Sequence, residues 1–159
     1  IRDYKVTGVQ TCALPICTTQ ASVTIDQKLY SEIGKGFLVL IGICDEDTKE
    51  TADKMVRKLI GMRIFSDENG KTNLALKDVD GQLLLVSQFT LYADCKKGNR
   101  PSFVKAGSPQ HANELYEYII DACKKEVPVV KTGVFGAEME VALINDGPFT
   151  IILDSKDLA

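Results

Sequence analysis

The sequence contains one histidine, His111, and no CxxC pair among its five cysteines. A single histidine argues strongly against a histidine-based catalytic triad, an HExxH zinc site or a centre of several histidines. An odd number of cysteines without a secretory leader favours reduced thiols in the cytoplasm over a disulfide framework. No apolar run approaches the ~20 residues that a membrane span needs, so we expect a soluble protein without a membrane partner.

The composition is typical of one globular domain. The 159 residues are 45% apolar and 26% charged, and only 12 are glycine, which excludes both a disordered and a collagen-like chain. The 19 basic and 22 acidic residues give a net charge of −3. Nucleic acid could therefore bind only through a local basic patch.

The first residues do not resemble the rest of the chain. Apolar residues in 11–17 show no clean period, and Pro15 is expected to interrupt any strand there. We interpret residues 1–17 as an atypical leader of foreign or frame-shifted origin, with a genuine irregular N-terminus as the alternative. Residues 18–159 are then the folded domain.

Two buried strands and two helices can be placed. The apolar runs at 37–43 and 83–86 predict buried strands, the second continuing through 87–91. Asp47 is expected to cap the first helix, with Glu50 completing a capping box, and Ser108 to cap the second. The order of strands, helix, strands, helix and strands predicts an α+β domain with a mainly antiparallel sheet.

Three segments could carry chemistry. Four cations and no carboxylate occupy residues 96–105, which suits phosphate binding but equally a solvated loop. In 87–91, polar residues end a buried strand, so they are either satisfied internally or face a pocket. In 145–150, a Gly-Pro step allows a cis peptide and close approach of another molecule, or is an ordinary turn. His111 is more typical of a surface or capping residue than of a base.

The last two segments resemble motifs of one family. Ser87 to Leu91 (SQFTL) resembles the SQxxL motif of the D-aminoacyl-tRNA deacylases, and Asn145 to Thr150 (NDGPFT) their NxGPxT motif. The likeness covers residues 18–155 and includes the stretches 21–25, 33–36, 59–65, 97–102 and 132–139. The sequence departs from the family at Cys17, where the family has an arginine close to the Gly-Pro motif.

This resemblance implies an enzyme of translation quality control in the cytoplasm. It would hydrolyse the ester between a D-amino acid and the 3′ end of tRNA, releasing both, without metal or other cofactor. The fold would be a barrel-like sheet with two principal helices in a homodimer. The Gly147–Pro148 peptide would be cis and would enter the partner's active site, where it would exclude L-amino acids by a clash. Because glycine has no side chain, glycyl-tRNA is expected to be hydrolysed as well.

The resemblance also assigns roles to residues. Backbone N–H groups around Phe89 and Thr90 would stabilise the oxyanion, and Ser87 and Gln88 would shape the pocket. Thr90 as nucleophile competes with activation of water by the ribose hydroxyl, and we favour the ribose because the sequence offers Thr90 no base. The remaining expected contacts are Phe135, Ala137 and Met139 at the terminal adenosine, and Lys96, Lys97 and Arg100 at tRNA phosphates.

Two other functions are compatible with the motifs. One is a sister deacylase with a trans Gly-Pro bond that removes L-alanine from mischarged tRNA, an alternative that Cys17 keeps open. The other is a non-catalytic RNA-binding or dimerisation module of the same fold, since a fold does not determine a function. DNA is not an expected partner in either case.

Overall fold

The computed structural model describes residues 11–158, which form one domain of nine strands, two α-helices and three short 3₁₀ helices. The strands and α-helices are β1 (Thr11–Ile25), β2 (Lys28–Ile33), β3 (Gly36–Ile43), α1 (Lys49–Gly61), β4 (Phe65–Ser66), β5 (Thr72–Leu74), β6 (Gln82–Ser87), α2 (Pro109–Glu126), β7 (Val130–Thr132), β8 (Glu140–Thr150) and β9 (Leu153–Asp154). No helix among these residues is long and apolar enough to cross a membrane.

The main sheet is mixed, so the expectation of a mainly antiparallel sheet is wrong. Strand β1 pairs antiparallel with β2, β3, β8 and β9, but β3 pairs parallel with β6, and β6 parallel with β7. Parallel neighbours need long crossovers, and the two helices supply them: α1 lies between β3 and β6 in the chain, and α2 between β6 and β7. Strand β1 pairs along both of its edges, and the sheet is nearly barrel-shaped.

Strand β1 runs through the proline that was expected to interrupt it. Pro15 lies opposite Val39 in the β1–β3 register, and its carbonyl accepts a hydrogen bond from the Ile151 N–H at 3.0 Å. Proline removes only its own N–H from the ladder, while neighbouring apolar residues such as Ala13 and Ile16 are buried on the sheet. The foreign origin of residues 1–17 stays a prediction, and residues 1–10 lie outside the described part of the chain.

The first helix begins one residue later than expected. Thr48 rather than Asp47 is the N-cap: its side chain accepts from the Thr51 N–H at 3.4 Å, and Thr51 Oγ1 accepts from the Thr48 N–H at 2.7 Å. This reciprocal pair of threonines replaces the predicted pair of Asp47 and Glu50. The second helix begins as predicted, with Ser108 as N-cap and Pro109 in the first turn.

The sheet is covered on both faces along β3 and β6. Phe37, Val39 and Ile41 point into a core shared with both helices, whereas Leu38 and Leu84 belong to a smaller cluster on the other face. The continuous apolar runs predicted to be buried strands therefore alternate between two apolar layers. Their parallel pairing brings the carboxyl ends of β3 and β6 to the same edge of the sheet.

Candidate functional site

A cavity of about 550 Å³ opens at that edge of the sheet. Its walls come from the ends of β3 and β6, the start of α2 and the segment that leads into β8. The lining residues include Ile43, Val86, Ser87, Gln88, Phe89, Phe103, Gly107, Pro109, Ala112, Phe135, Ala137 and Met139. The cavity therefore brings together three of the four residues predicted to be catalytic and all three predicted adenosine contacts.

The polar end of β6 is a turn and not the continued strand that the sequence suggested. Strand β6 stops at Ser87, and the Gln88 N–H makes one more bond to the Ile41 carbonyl at 2.7 Å. A 3₁₀ helix, Phe89–Tyr92, follows, and the bond from the Leu91 N–H to the Gln88 carbonyl closes it. The first N–H groups of a helix have no acceptor within it, so those of Phe89 and Thr90 are not used by the turn's own bonds.

The Gln88 and Thr90 side chains are joined. Gln88 Nε2 donates a hydrogen bond to Thr90 Oγ1. The Thr90 residue is exposed and does not line the cavity, whereas Gln88 does. The structure therefore places the Thr90 hydroxyl at the rim, oriented by an amide and not by a basic group.

The opposite wall is a short turn before β8. The Ala137 N–H bonds to the Val134 carbonyl at 3.1 Å, and the Val134 N–H bonds to Met139 Sδ at 3.4 Å. Gly133 permits this arrangement, because a Cβ there would lie 2.6 Å from Met139 Sδ. The Phe135 ring packs at 6.2 Å from the buried Tyr116 ring, so the wall is fixed to α2.

The Gly147–Pro148 step lies away from this cavity, as a bulge in β8. Thr18 pairs with Asn145 and Ile16 with Thr150, so the intervening residues leave the ladder. Asn145 closes the bulge, with Oδ1 accepting from the Phe149 N–H and Nδ2 donating to Thr150 Oγ1, each at 2.8 Å. The Gly147–Pro148 peptide bond is cis, and both residues are exposed.

Cys17 lies beside this bulge. Burial raises the pKa of the Cys17 thiol to about 11, and the nearby negative charge of Asp146 adds to the shift. Cys17, where the resemblance implied an arginine, therefore presents a neutral thiol next to the Gly-Pro motif.

The predicted phosphate contacts form an exposed loop. Backbone bonds of 2.7 and 2.9 Å between Asp94 and Ser102 close the loop, and Lys105 Nζ lies 3.7 Å from Asp94 Oδ2. Lys96, Lys97 and Arg100 are all exposed within it. None of the three lines the cavity, but Phe103, directly after the loop, does.

The sequence missed Phe103, and it also missed the burial of a carboxylate, Asp47, between β3 and α1. Asp47 is only 2% exposed, and burial raises its pKa to about 6 even though the Cys44 N–H donates to Oδ2 at 2.8 Å. His111 Nε2 lies 2.9 Å from the Asp47 backbone oxygen, which ties the loop after β3 to α2. No sequence pattern other than the neighbouring cations marks Phe103, and the capping pattern at Asp47 predicts a helix N-cap instead of a buried carboxylate. Within residues 11–158 no cluster of three or more His, Cys, Asp or Glu side chains could hold a metal ion.

Comparison with known proteins decides the family. The family model described as D-Tyr-tRNA(Tyr) deacylase matches residues 17–154. The chain belongs to the D-aminoacyl-tRNA deacylases. Among proteins of this family, the D-aminoacyl-tRNA deacylase of Clostridium novyi (strain NT) is 53% identical over 137 residues, 86% of this chain and 92% of its own. That of Thermosipho africanus (strain TCF52B) is 51% identical over 136 residues, 86% of this chain and 91% of its own.

Solved structures agree with the deacylase fold. The c-Myc DNA unwinding element binding protein is 39% identical, with a TM-score of 0.83 over 90% of this chain and 97% of its own. A probable eukaryotic D-amino acid tRNA deacylase has a TM-score of 0.79 over 91% of this chain and 99% of its own. At 17% identity the second likeness concerns the fold alone.

Proposed function

We propose that this chain hydrolyses the ester bond of D-aminoacyl-tRNA and releases the free D-amino acid and tRNA. The observation that carries the proposal is the SQxxL turn at the carboxyl edge of the parallel pair β3–β6, facing a cavity of about 550 Å³. Family membership over residues 17–154 supplies the substrate class. Clearing D-amino acids from tRNA is a quality-control step of translation.

Backbone groups at the turn would carry the chemistry. When water attacks the ester carbonyl, negative charge develops on its oxygen, and preorganised N–H donors stabilise that charge. The N–H groups of Phe89 and Thr90 are suited to this role because no bond of the 3₁₀ helix uses them. Ser87 and Gln88 would shape the pocket around the ester.

The ribose hydroxyl next to the ester is the better candidate for activating water. The Thr90 hydroxyl already accepts a hydrogen bond from the Gln88 amide, and an amide cannot take its proton. An aminoacyl ester is already activated, so positioning and oxyanion stabilisation would provide most of the rate. Phe135, Ala137 and Met139 would then hold the terminal adenosine on the opposite wall.

We place chiral selection in a homodimer. Gly147 and Pro148 are exposed on the bulge and do not line this chain's own cavity, so they could reach a site only in another copy. There the backbone would occupy the space that an L side chain needs, while D-aminoacyl and glycyl esters would fit. The cations Lys96, Lys97 and Arg100 would contact tRNA phosphates at the rim.

The activity is tested with purified protein on four substrates. We expect loss of D-Tyr-tRNA and, more slowly, of glycyl-tRNA, but not of L-Tyr-tRNA or L-Ala-tRNA. Hydrolysis of L-Ala-tRNA would favour the sister deacylase, and a folded dimer inactive on all four would favour a binding module. The mass in solution is recorded for the same sample.

Exchange of the motif between subunits is tested by mixing two variants. Gln88→Ala is expected to disable the pocket of its own chain, whereas Pro148→Gly is expected to keep D-Tyr-tRNA hydrolysis and to admit L-Tyr-tRNA, because the motif excludes L side chains. The two chains are unfolded together in equal amounts and refolded, which pairs them at random. If the motif acts across the interface, half of the intact pockets meet the Pro148 of a Gln88→Ala chain, so hydrolysis of L-Tyr-tRNA falls to about half of that by the same amount of Pro148→Gly chain refolded alone. If it acts within one chain, hydrolysis of L-Tyr-tRNA per Pro148→Gly chain is unchanged.

A further inference from the structure

Two aromatic rings lie exposed where the cavity meets the basic loop. Phe89 and Phe103 are 55% and 36% exposed, and their rings contact edge to face at a centroid distance of 5.2 Å. Both rings line the cavity, one from the 3₁₀ turn and one from the segment after the loop. Aromatic side chains that remain open to water beside a site are typical of a surface that binds a partner.

The backbone holds the second ring in place. Phe103 follows Ser102, whose two backbone bonds to Asp94 close the basic loop. Its carbonyl accepts from the Ala106 N–H at 3.0 Å, and the Gly107 N–H bonds to the end of β3 at 2.8 Å. Because the backbone on both sides of Phe103 is already fixed, only side-chain freedom is lost when a flat ligand stacks on the ring.

The charge around the rings favours a nucleotide. Residues 95–107 contain four cations and no carboxylate, and Lys96, Lys97 and Arg100 are exposed. Aromatic faces beside a cationic loop are the combination that binds single-stranded nucleic acid, with bases on the rings and phosphates near the cations. An apolar protein surface would make no favourable contact with these cations.

The tRNA strand of the substrate must pass the two rings. This step rests on the proposed function, in which the ester and the terminal adenosine occupy the cavity and the tRNA strand leaves through the cavity's rim. The residue before the terminal adenosine of tRNA is an unpaired cytidine, whose base is free to stack. We propose that Phe103, against Phe89 and beside the basic loop, forms a binding site for this penultimate nucleotide.

The test measures how much the enzyme gains from lengthening its substrate. The ratio of kcat/KM for a D-tyrosyl trinucleotide ending in CCA to that for D-tyrosyl-adenosine is compared in wild type, Phe103→Leu and Val104→Ala. Leucine keeps apolar bulk against Phe89 but removes the ring, and Val104, 86% exposed, is the matched control. We expect Phe103→Leu to lower the ratio about tenfold, the effect of one lost stacking contact, and Val104→Ala to leave it unchanged.

Each other result overturns the proposal in a recognisable way. If Phe103→Leu lowers kcat/KM equally for both substrates, the ring serves the terminal nucleoside or the amino acid. If it alters neither, the exposed rings face another protein or a second copy. Binding of a fluorescent CCA trinucleotide that carries no amino acid separates the proposed function from the proposed nucleotide site. If the wild type binds this trinucleotide through Phe103 but hydrolyses neither ester, the proposed function is refuted and the nucleotide site is retained.

Discussion

The bulge that carries Gly147 and Pro148 depends on one amide side chain. Asn145 makes two hydrogen bonds across its base, to the Phe149 N–H and to Thr150 Oγ1, each at 2.8 Å. Asn145→Ala removes both bonds, each of which contributes about 1 kcal/mol at a partly exposed site. We expect Asn145→Ala to lower the free energy of unfolding by about 2 kcal/mol, which lowers the melting temperature by about 4–8 °C for a domain of this size.

The functional loss should exceed the loss of stability. Because the bulge has no other side-chain bond across its base among the described residues, the Gly-Pro backbone would shift when Asn145 is removed. We expect the preference for D-Tyr-tRNA over L-Tyr-tRNA to fall by about tenfold or more at a temperature where the variant is folded. Thermal unfolding by circular dichroism and deacylation of both tRNAs measure the two effects.

Two further variants make the reasoning refutable. Thr150→Val removes only one of the two bonds and should lose about half the stability that Asn145→Ala loses. Asn73→Ala alters an exposed asparagine in β5 and should change neither measurement. If Asn145→Ala has the melting temperature of the wild type and the same preference for D-Tyr-tRNA, contacts other than those of the Asn145 amide hold the bulge.

Three other changes test separate parts of the structure. Thr90→Ala should cost less than tenfold in kcat/KM, because we assign activation of water to the ribose; a loss of about a hundredfold or more would identify Thr90 as essential to the chemistry. Tyr116→Phe removes the buried bond from Tyr116 Oη to the Leu85 carbonyl at 2.7 Å and should lower the free energy of unfolding by about 1 kcal/mol, measured in urea. Burial raises the pKa of Asp47 from 3.8 to about 6. As the pH rises, Asp47 therefore loses its proton at a lower pH in the unfolded chain than in the folded chain. The free energy of unfolding is then highest below pH 4 and falls as the pH rises from 4 to 6. Asp47→Asn should remove this decline, about 3 kcal/mol in size, from urea unfolding measured at several pH values, and an unchanged pH profile would show that Asp47 is not its source.

The sequence predicted the elements better than their pairing. Runs of apolar residues identified β3 and β6, and capping by Ser108 identified the start of α2. Whether two buried strands run parallel depends on where the intervening helix packs, and a local sequence pattern does not predict the packing position of a helix. For the same reason the antiparallel expectation was wrong.

Local chemistry misled the prediction in two places. Pro15 was expected to break a strand, but a long β1 with partners on both edges tolerates one missing N–H. Asp47 has the sequence pattern of a helix cap, yet the threonines beside it satisfy the helix and leave the carboxylate buried. In both cases tertiary contacts outweighed a sound local preference.

The candidate site shows why its residues could be located only through the motifs. Its expected donors are backbone N–H groups of a 3₁₀ turn, which any residue type supplies, so no pattern of histidines or carboxylates marks them. Such a site suits an ester that is already activated, since the protein has to position the carbonyl and does not have to generate a strong nucleophile. In the proposed mechanism, selectivity would rest on the backbone that occupies the mouth of the cavity. We propose that a second subunit supplies this backbone, because the Gly-Pro bulge is exposed and does not line this chain's own cavity.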